Sequence, residues 1–190
     1  MSAELETPSG LPNPKESYFN FTLRFATEAD IESLIPMVNE AYRYENIGDM
    51  AFKKSESLRI DPQSFQEIIE NDAIFVAVNA NKQIIGCFQY KEIPASLVSG
   101  STQDTNAYFG LLTVDPNLQR QGFGKKLVKS AEIIARARGR RVMEIQIVEH
   151  SSNLLDFFDK LGYKKFGMKD WSAPFLTKPT QFVLMSKTLD

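Results

Sequence analysis

Thiols and imidazoles are nearly absent: the 190 residues hold one cysteine, Cys87, and one histidine, His150. A single thiol cannot close an internal disulfide, and Cys87 lies in the apolar run from Ile84 to Phe88, where a thiol behaves as a small buried hydrophobe. A reduced, cytoplasmic setting is the expectation, with the nucleus left open. One histidine and one cysteine give no cluster of metal ligands, so no metal is expected. Excess charge of either sign is also missing, with 22 Lys and Arg against 24 Asp and Glu for a net charge of −2. That balance argues against nucleic acid or an anionic membrane as a bulk partner. No apolar run approaches the roughly 20 residues that span a bilayer. Met1 to Ser17 carries Glu4, Glu6, Pro8, Pro12 and Pro14, without the basic region or apolar core of a signal peptide. We expect a flexible tail over residues 1–17 and one domain over residues 18–190, since this length fills one core and is short for two.

What is present alternates between strand and helix patterns. Phe19, Phe21, Leu23 and Phe25 recur at period two and predict a half-buried first strand. Thr27 precedes Glu28-Ala29-Asp30, where its hydroxyl is placed to cap free amides, and Ile31, Leu34, Ile35, Val38 and Tyr42 follow at helical spacing. Asp61-Pro62 is a helix start, with Phe65, Ile68 and Ile69 on the buried side. Ala73 to Val78 and Ile84 to Tyr90 read as an antiparallel pair joined by a polar turn. Ser96 to Asn106 reads as an exposed loop, and Ala107 to Val114 as a central strand. Past the helix that follows come a fifth strand from Val142 to Val148, a helix from Asn153 to Leu161 with Leu154, Leu155, Phe157, Phe158 and Leu161 inward, and final strands over Tyr163–Gly167 and Thr180–Thr188. Asp170 to Pro179 is expected as a loop.

The chain is organised around Leu111 to Val128. A β-branched run ends at Val114, turns at Asp115-Pro116-Asn117 and resumes with helical periodicity at Phe123. Gly122 and Gly124 stand where the new helix presents unpaired N–H groups. Glycine there lets main chain approach a ligand closely, and the free amides with the positive end of the helix dipole favour a phosphate or pyrophosphate. Lys125 and Lys126 are within one turn of that point and in reach of phosphates. Arg136, Arg138, Arg140 and Arg141 read instead as a solvated face whose stems lie over apolar surface. A nucleotide-binding module of the Gly-x-Gly-x-x-Gly type finds no such element after the first strand.

Gln119-Arg120-Gln121-Gly122-Phe123-Gly124 resembles the Gln/Arg-x-x-Gly-x-Gly/Ala signature of the GNAT superfamily of acetyl-CoA-dependent N-acetyltransferases, and Asn153 to Tyr163 resembles the downstream part of that pattern. The resemblance implies an α/β (α+β) fold with a mixed, mostly antiparallel sheet of six or seven strands flanked by about four helices, and a V-shaped splay between strands 4 and 5. It implies acetyl-CoA as cosubstrate and a primary amine as acceptor, small molecule or peptide, with a homodimer left open. The cofactor-binding set would be Leu112, Thr113 and Val114 on the strand, Gln119, Arg120, Gln121, Gly122, Phe123, Gly124, Lys125 and Lys126 at the turn, and Asn153 and Phe158 on the later helix. The Leu112 amide would meet the thioester oxygen, where negative charge grows. Tyr44, in the irregular region between the first two helices, is a substrate-binding candidate.

The proton-handling groups are less regular. Many family members place a tyrosine four residues before the glycine of the closing Leu-Gly-aromatic element, and this chain has Phe158 there. Water, Tyr163 or another residue by a different route would then protonate the thiolate. For the general base the candidates are Glu149 and Glu144, of which alternation allows at most one to face the acceptor. Glu149, at the strand end, is taken as base and substrate contact, and His150 as a capping or surface residue. A non-catalytic acyl-CoA-binding protein of the same fold is the alternative.

Overall fold

The computed structural model describes residues 20–41, 60–94, 105–172, 176 and 178–190. The expected tail, Phe19, Tyr42, Tyr44 and most of the predicted loop after the third strand lie outside these residues. In chain order the strands are β1 Thr22–Phe25, β2 Ala73–Val78, β3 Ile84–Pro94, β4 Thr105–Val114, β5 Val142–Val148, β6 Lys164–Trp171 and β7 Thr180–Thr188. The α-helices among the described residues are α1 Ile31–Ala41, α2 Pro62–Asn71, α3 Phe123–Ala137 and α4 Ser152–Lys160. The strands form one sheet in the order β1-β2-β3-β4-β5-β7-β6. Its neighbours pair antiparallel except β4 and β5, which are parallel. The mixed, mostly antiparallel architecture expected from the resemblance is therefore the one observed.

Each sheet face buries its own apolar set. On one face Leu127, Val128, Ala131, Ile134 and Ala135 of α3 meet Phe75, Phe88, Phe109, Met143 and Ile145. Aromatic rings run across the sheet there, with Phe25, Phe75, Phe88, Phe109 and Phe158 at successive centroid separations of 4.7, 5.2, 5.4 and 6.3 Å. On the other face Leu34 and Val38 of α1 and Phe65 of α2 cover Ile74, Val76, Cys87 and Leu111. Cys87 is the buried small hydrophobe anticipated, and burial pushes its thiol up to about 12. Asn39 of α1 holds the entry to α2, donating to the Ile60 carbonyl at 2.9 Å and accepting its N–H at 3.0 Å. Asp61 then caps α2 through the Ser64 N–H at 2.9 Å.

Thr27 is the N-cap as expected and forms a capping box with Asp30; its hydroxyl and N–H also donate to the Asp30 carboxylate, at 3.0 and 2.8 Å, and Arg24 grips the same carboxylate at 2.7 and 2.8 Å. Several local expectations are corrected. Thr105 and Asn106 belong to β4 and not to a loop, and Asp170 and Trp171 end β6, where the indole stacks on Phe182 at 4.6 Å. Leu154 is 37 % exposed, so α4 turns Leu155, Phe157 and Phe158 inward without it. Arg138 and Arg140 are not a solvated face, because Arg138 pairs with Glu92 at 2.5 Å and Arg140 contacts Glu92 and Thr105.

Candidate functional site

Two irregularities in β4 set the site. Against β3, Thr113 opposes Cys87 and Gly110 opposes Gln89, so two residues of β4, Leu111 and Leu112, face one of β3. The extra residue is a bulge, and Leu111 takes φ +49° to make it. A leucine in that region costs on the order of 1–2 kcal/mol. It is held by what it permits: Leu111 joins the apolar set under α1 and α2, while Leu112 packs toward α3 and α4. Against β5, the ladder consists of the pairs Ala107 with Met143 and Tyr108 with Glu144. Beyond that pair the two strands run on without register, which is the expected splay.

β4 leads from the splay into the turn. The Asp115 carboxylate accepts the Asn117 N–H at 2.9 Å, and a short 3-10 turn covers Pro116–Leu118. Gln119 reaches back to donate to the Val114 carbonyl at 3.4 Å, and Gln121 donates to Asn117 at 3.4 Å, so both side-chain amides brace the turn. Arg120 sits at φ +60° and Gly122 at φ +82°. Left-handed residues placed this way curl successive N–H groups into an anion-binding concavity. Helix geometry leaves the Phe123, Gly124 and Lys125 amides without intrahelical acceptors, and the first intrahelical bond is Lys126 N–H to Gly122. A Cβ on Gly122 would meet nothing within 4 Å, and one on Gly124 would meet only Phe157 Cζ at 3.8 Å and Val114 Cγ2 at 3.9 Å. The space over the turn is thus open, walled by Phe157 and Val114. Lys125 is exposed, whereas the Lys126 ammonium lies 5.0 Å from the Phe123 ring centre. Thr113 is buried, its hydroxyl donating to the Leu111 carbonyl at 3.2 Å.

The residues expected on the later helix divide. Asn153 is exposed in the first turn of α4. Phe158 is 3 % exposed, packed against Phe109, Phe157 and Tyr163, so its ring belongs to the core. Tyr163 is fully buried, its hydroxyl donating to Met143 Sδ at 3.1 Å and lying 3.4 Å from Glu132. Burial, with the Glu132 charge added, raises its pKa far above the ordinary phenol value. A hydroxyl so enclosed and so reluctant to ionise is not placed to protonate a thiolate in an open cleft, which corrects the expectation for Tyr163. The sequence predicts Phe157 only as part of the buried side of this helix, and spacing gives no sign that its Cζ comes within 3.8 Å of a Cβ on Gly124.

Glu149 follows β5 directly. Its Oε1 accepts the Gln181 N–H at 2.9 Å and the Thr180 hydroxyl at 3.2 Å, and His150 Nε2 lies 3.6 Å away. These contacts tie the carboxylate to the start of β7 at the edge of a cleft of about 630 Å³, lined also by Asp170, Trp171, Lys178 and Gln181. Glu144 points elsewhere, buried on the face opposite α3 and accepting Asn106 Nδ2 at 2.6 Å. Tyr44 lies outside the described residues. Among the described residues no group of three His, Cys, Asp or Glu is arranged to hold a metal, and no helix is long and apolar enough to cross a membrane.

The sequence profile of the Acetyltransferase (GNAT) family matches residues 36–163. The chain belongs to this family. An uncharacterised N-acetyltransferase of Methanocaldococcus jannaschii is 24 % identical over 153 residues, covering 80 % of this chain and 64 % of that protein. The chain therefore spans less than two thirds of that relative's length. Among solved structures, NAA60 of Arabidopsis thaliana in complex with acetyl-CoA aligns at a TM-score of 0.68 and 12 % identity, over 89 % of this chain and 98 % of that one. The structure of yncA from Salmonella typhimurium with its cofactor acetyl-CoA aligns at 0.61 and 18 % identity, over 90 % and 95 %. At these identities the likeness is one of fold, and it places this GNAT chain's splay and turn in a known architecture.

Proposed function

We propose that this GNAT family member transfers an acetyl group from acetyl-CoA to a primary amine by direct attack in a ternary complex. The observation that carries the reading is the course of β4: its ladder to β5 ends at Tyr108 and Glu144, and the strand then runs through a bulge into a left-handed turn at the head of α3. The diphosphate would sit on the amides of Gln121 to Lys125, with Arg120, Lys125 and Lys126 around it and Phe157, in place of Phe158, as a wall of the slot. The pantetheine arm would follow Leu112, Thr113 and Val114, and the Leu112 amide, at the bulge, would meet the thioester oxygen as charge develops there. Held geometry of this kind contributes several powers of ten by itself.

The amine would enter from the cleft beside Glu149, whose fixed carboxylate attracts a cation and can take its proton, directly or through one water. Asp170 adds a second acid to that lining. The non-catalytic alternative draws on one observation: α4 carries the buried Phe158 in place of a tyrosine and the Tyr163 phenol at its end is buried, which leaves no exposed phenol there. A single assay separates the two. CoA stabilises the fold thermally in either case, whereas only the enzyme releases free thiol from acetyl-CoA when amino acids, polyamines, aminoglycosides and peptides are added. No stabilisation by CoA would overturn both readings.

A further inference from the structure

Ala107 and Phe109 pack with the α3 face of the sheet, so strand alternation turns Tyr108 and Gly110 to the opposite face. Tyr108 forms with Glu144 the last pair of the β4 and β5 ladder, and across β3 it opposes Lys91, whose ammonium lies 5.4 Å from the ring centre. The ring does not stand off the sheet. Its Cε1 lies 2.8 Å and its hydroxyl 3.1 Å from the point where a Cβ on Gly110 would sit, and Gln89 Oε1 lies 2.8 Å from that point. The phenol is therefore laid along β4 over a residue with no side chain. Its hydroxyl lies over Gly110, the residue directly before the bulge at Leu111 and Leu112 where the splay opens. Beside it Asn106 fixes the Glu144 carboxylate at 2.6 Å. Gly110 is the condition for this pose, because any side chain there collides with the ring.

We propose that Tyr108 is a catalytic residue, its hydroxyl relaying a proton between the attacking amine and the departing sulfur; this rests on the acetyl-transfer reading above. The amine nitrogen forms its bond to the thioester carbon, giving an oxyanion beside the Leu112 amide and a positively charged nitrogen. As the carbon–sulfur bond breaks, its electron pair goes to sulfur, the Tyr108 O–H proton goes to that sulfur, and a proton from the charged nitrogen returns to the phenol oxygen. The products are the amide and the CoA thiol, with Tyr108 restored.

The test is thiol release by the full chain and by Tyr108→Phe, with melting temperature and CoA-induced thermal shift measured in parallel. The expected result is a fall in kcat of about 10²-fold or more, an unchanged KM for acetyl-CoA, an unchanged melting temperature, and loss of the alkaline limb of the pH–rate profile. Gly110→Ala should lower kcat in the wild-type background by displacing the ring, and should lower it no further in the Tyr108→Phe background. A folded Tyr108→Phe with wild-type kcat overturns the relay, as does a loss that merely tracks a lowered melting temperature. Those results leave the acetyl-transfer reading standing. If instead the wild-type chain binds CoA and releases no thiol with any amine, that reading fails and the relay falls with it.

Discussion

Replacing Gly124 by alanine should raise stability and lower CoA affinity at once, a combination that a folding defect cannot produce. The added Cβ would find Phe157 Cζ at 3.8 Å and Val114 Cγ2 at 3.9 Å, ordinary contact distances, and no positive φ is recorded at that position. Removing a glycine from a helix is worth up to about 0.5–1 kcal/mol, or roughly 1–4 °C in Tm for a chain of this size. The same methyl occupies the slot over the turn. Losing one charge-assisted amide–phosphate hydrogen bond costs about 1.5–3 kcal/mol, a factor of roughly 10 to 150 in Kd. Take a CoA concentration about 100 times the wild-type Kd, where binding stabilises by about 2.7 kcal/mol. A 50-fold weaker variant retains only about 0.6 kcal/mol of that. Thermal melts with and without CoA, with Kd from calorimetry, give both quantities. Gly122→Ala is the control: with open space but φ +82°, it should lower stability by about 1–2 kcal/mol whatever it does to binding. If Gly124→Ala binds CoA as tightly as wild type, the main-chain cradle is wrong.

Glu149→Gln should lower kcat/KM about 10²-fold or more with little change in Tm; unchanged turnover across pH 6–9 would remove Glu149 as base. Tyr163→Phe should leave kcat unchanged and cost under about 1 kcal/mol, because its hydroxyl makes one bond to sulfur and one long bond, 3.4 Å, to a Glu132 carboxylate that Lys129 and Lys187 also hold; a large fall in kcat at constant Tm would reinstate it as proton donor. Burial alone would push Asp30 up, but the Arg24 hydrogen bonds and the Thr27 amide outweigh it and hold the carboxyl below the ordinary range. With the folded-state value below the unfolded one, near 3.9, the unfolded chain takes the proton first. The Asp30 contribution is therefore complete above about pH 4 and is lost as pH falls through the folded value. Asp30→Asn should flatten that part of the stability profile, and denaturant melts between pH 2 and 6 read the difference. Cys87, pushed up to about 12 by burial, should resist alkylation at pH 8 in the native state and label at the rate of unfolding; rapid native labelling would refute its enclosure.

Patterns of period two and 3.6 made most of the fold legible, because each face of the sheet is covered by one apolar set and a one-residue error would turn that set to solvent. The β5 boundaries Val142 and Val148 and the Asp61-Pro62 helix start follow from residues adjacent in sequence. The glycine turn was legible for the same reason. Asn106 reads as loop because it is a polar residue in a polar stretch, and its partner in the fold is Glu144, 38 positions away. Arg138 and Arg140 read as solvated for want of any sign of Glu92, some 46 residues earlier for Arg138. Phe158 and Tyr163 show the limit most plainly. A motif assigns a role by spacing, but the space behind α4 is filled by Glu132 and Met143, which decide that the Tyr163 hydroxyl faces inward.

The bulge at Leu111 connects these observations. A regular β4 would keep its hydrogen-bonding direction and its face alternation through to Val114, and Leu111 would then stay on the α3 face with Phe109. One inserted residue moves Leu111 to the α1 face and turns the following main chain relative to β5. It leaves Tyr108 and Gly110 on the α1 face just before the bulge, and Thr113 and Val114 leading to the glycine turn just after it. Both halves of the proposed reaction thus depend on one strained residue, whose roughly 1–2 kcal/mol is small beside the about 1.5–3 kcal/mol that burying a leucine side chain provides. The strain is sustained by the core that Leu111 enters, and in the proposed reaction the same residue would set where the thioester and the amine meet.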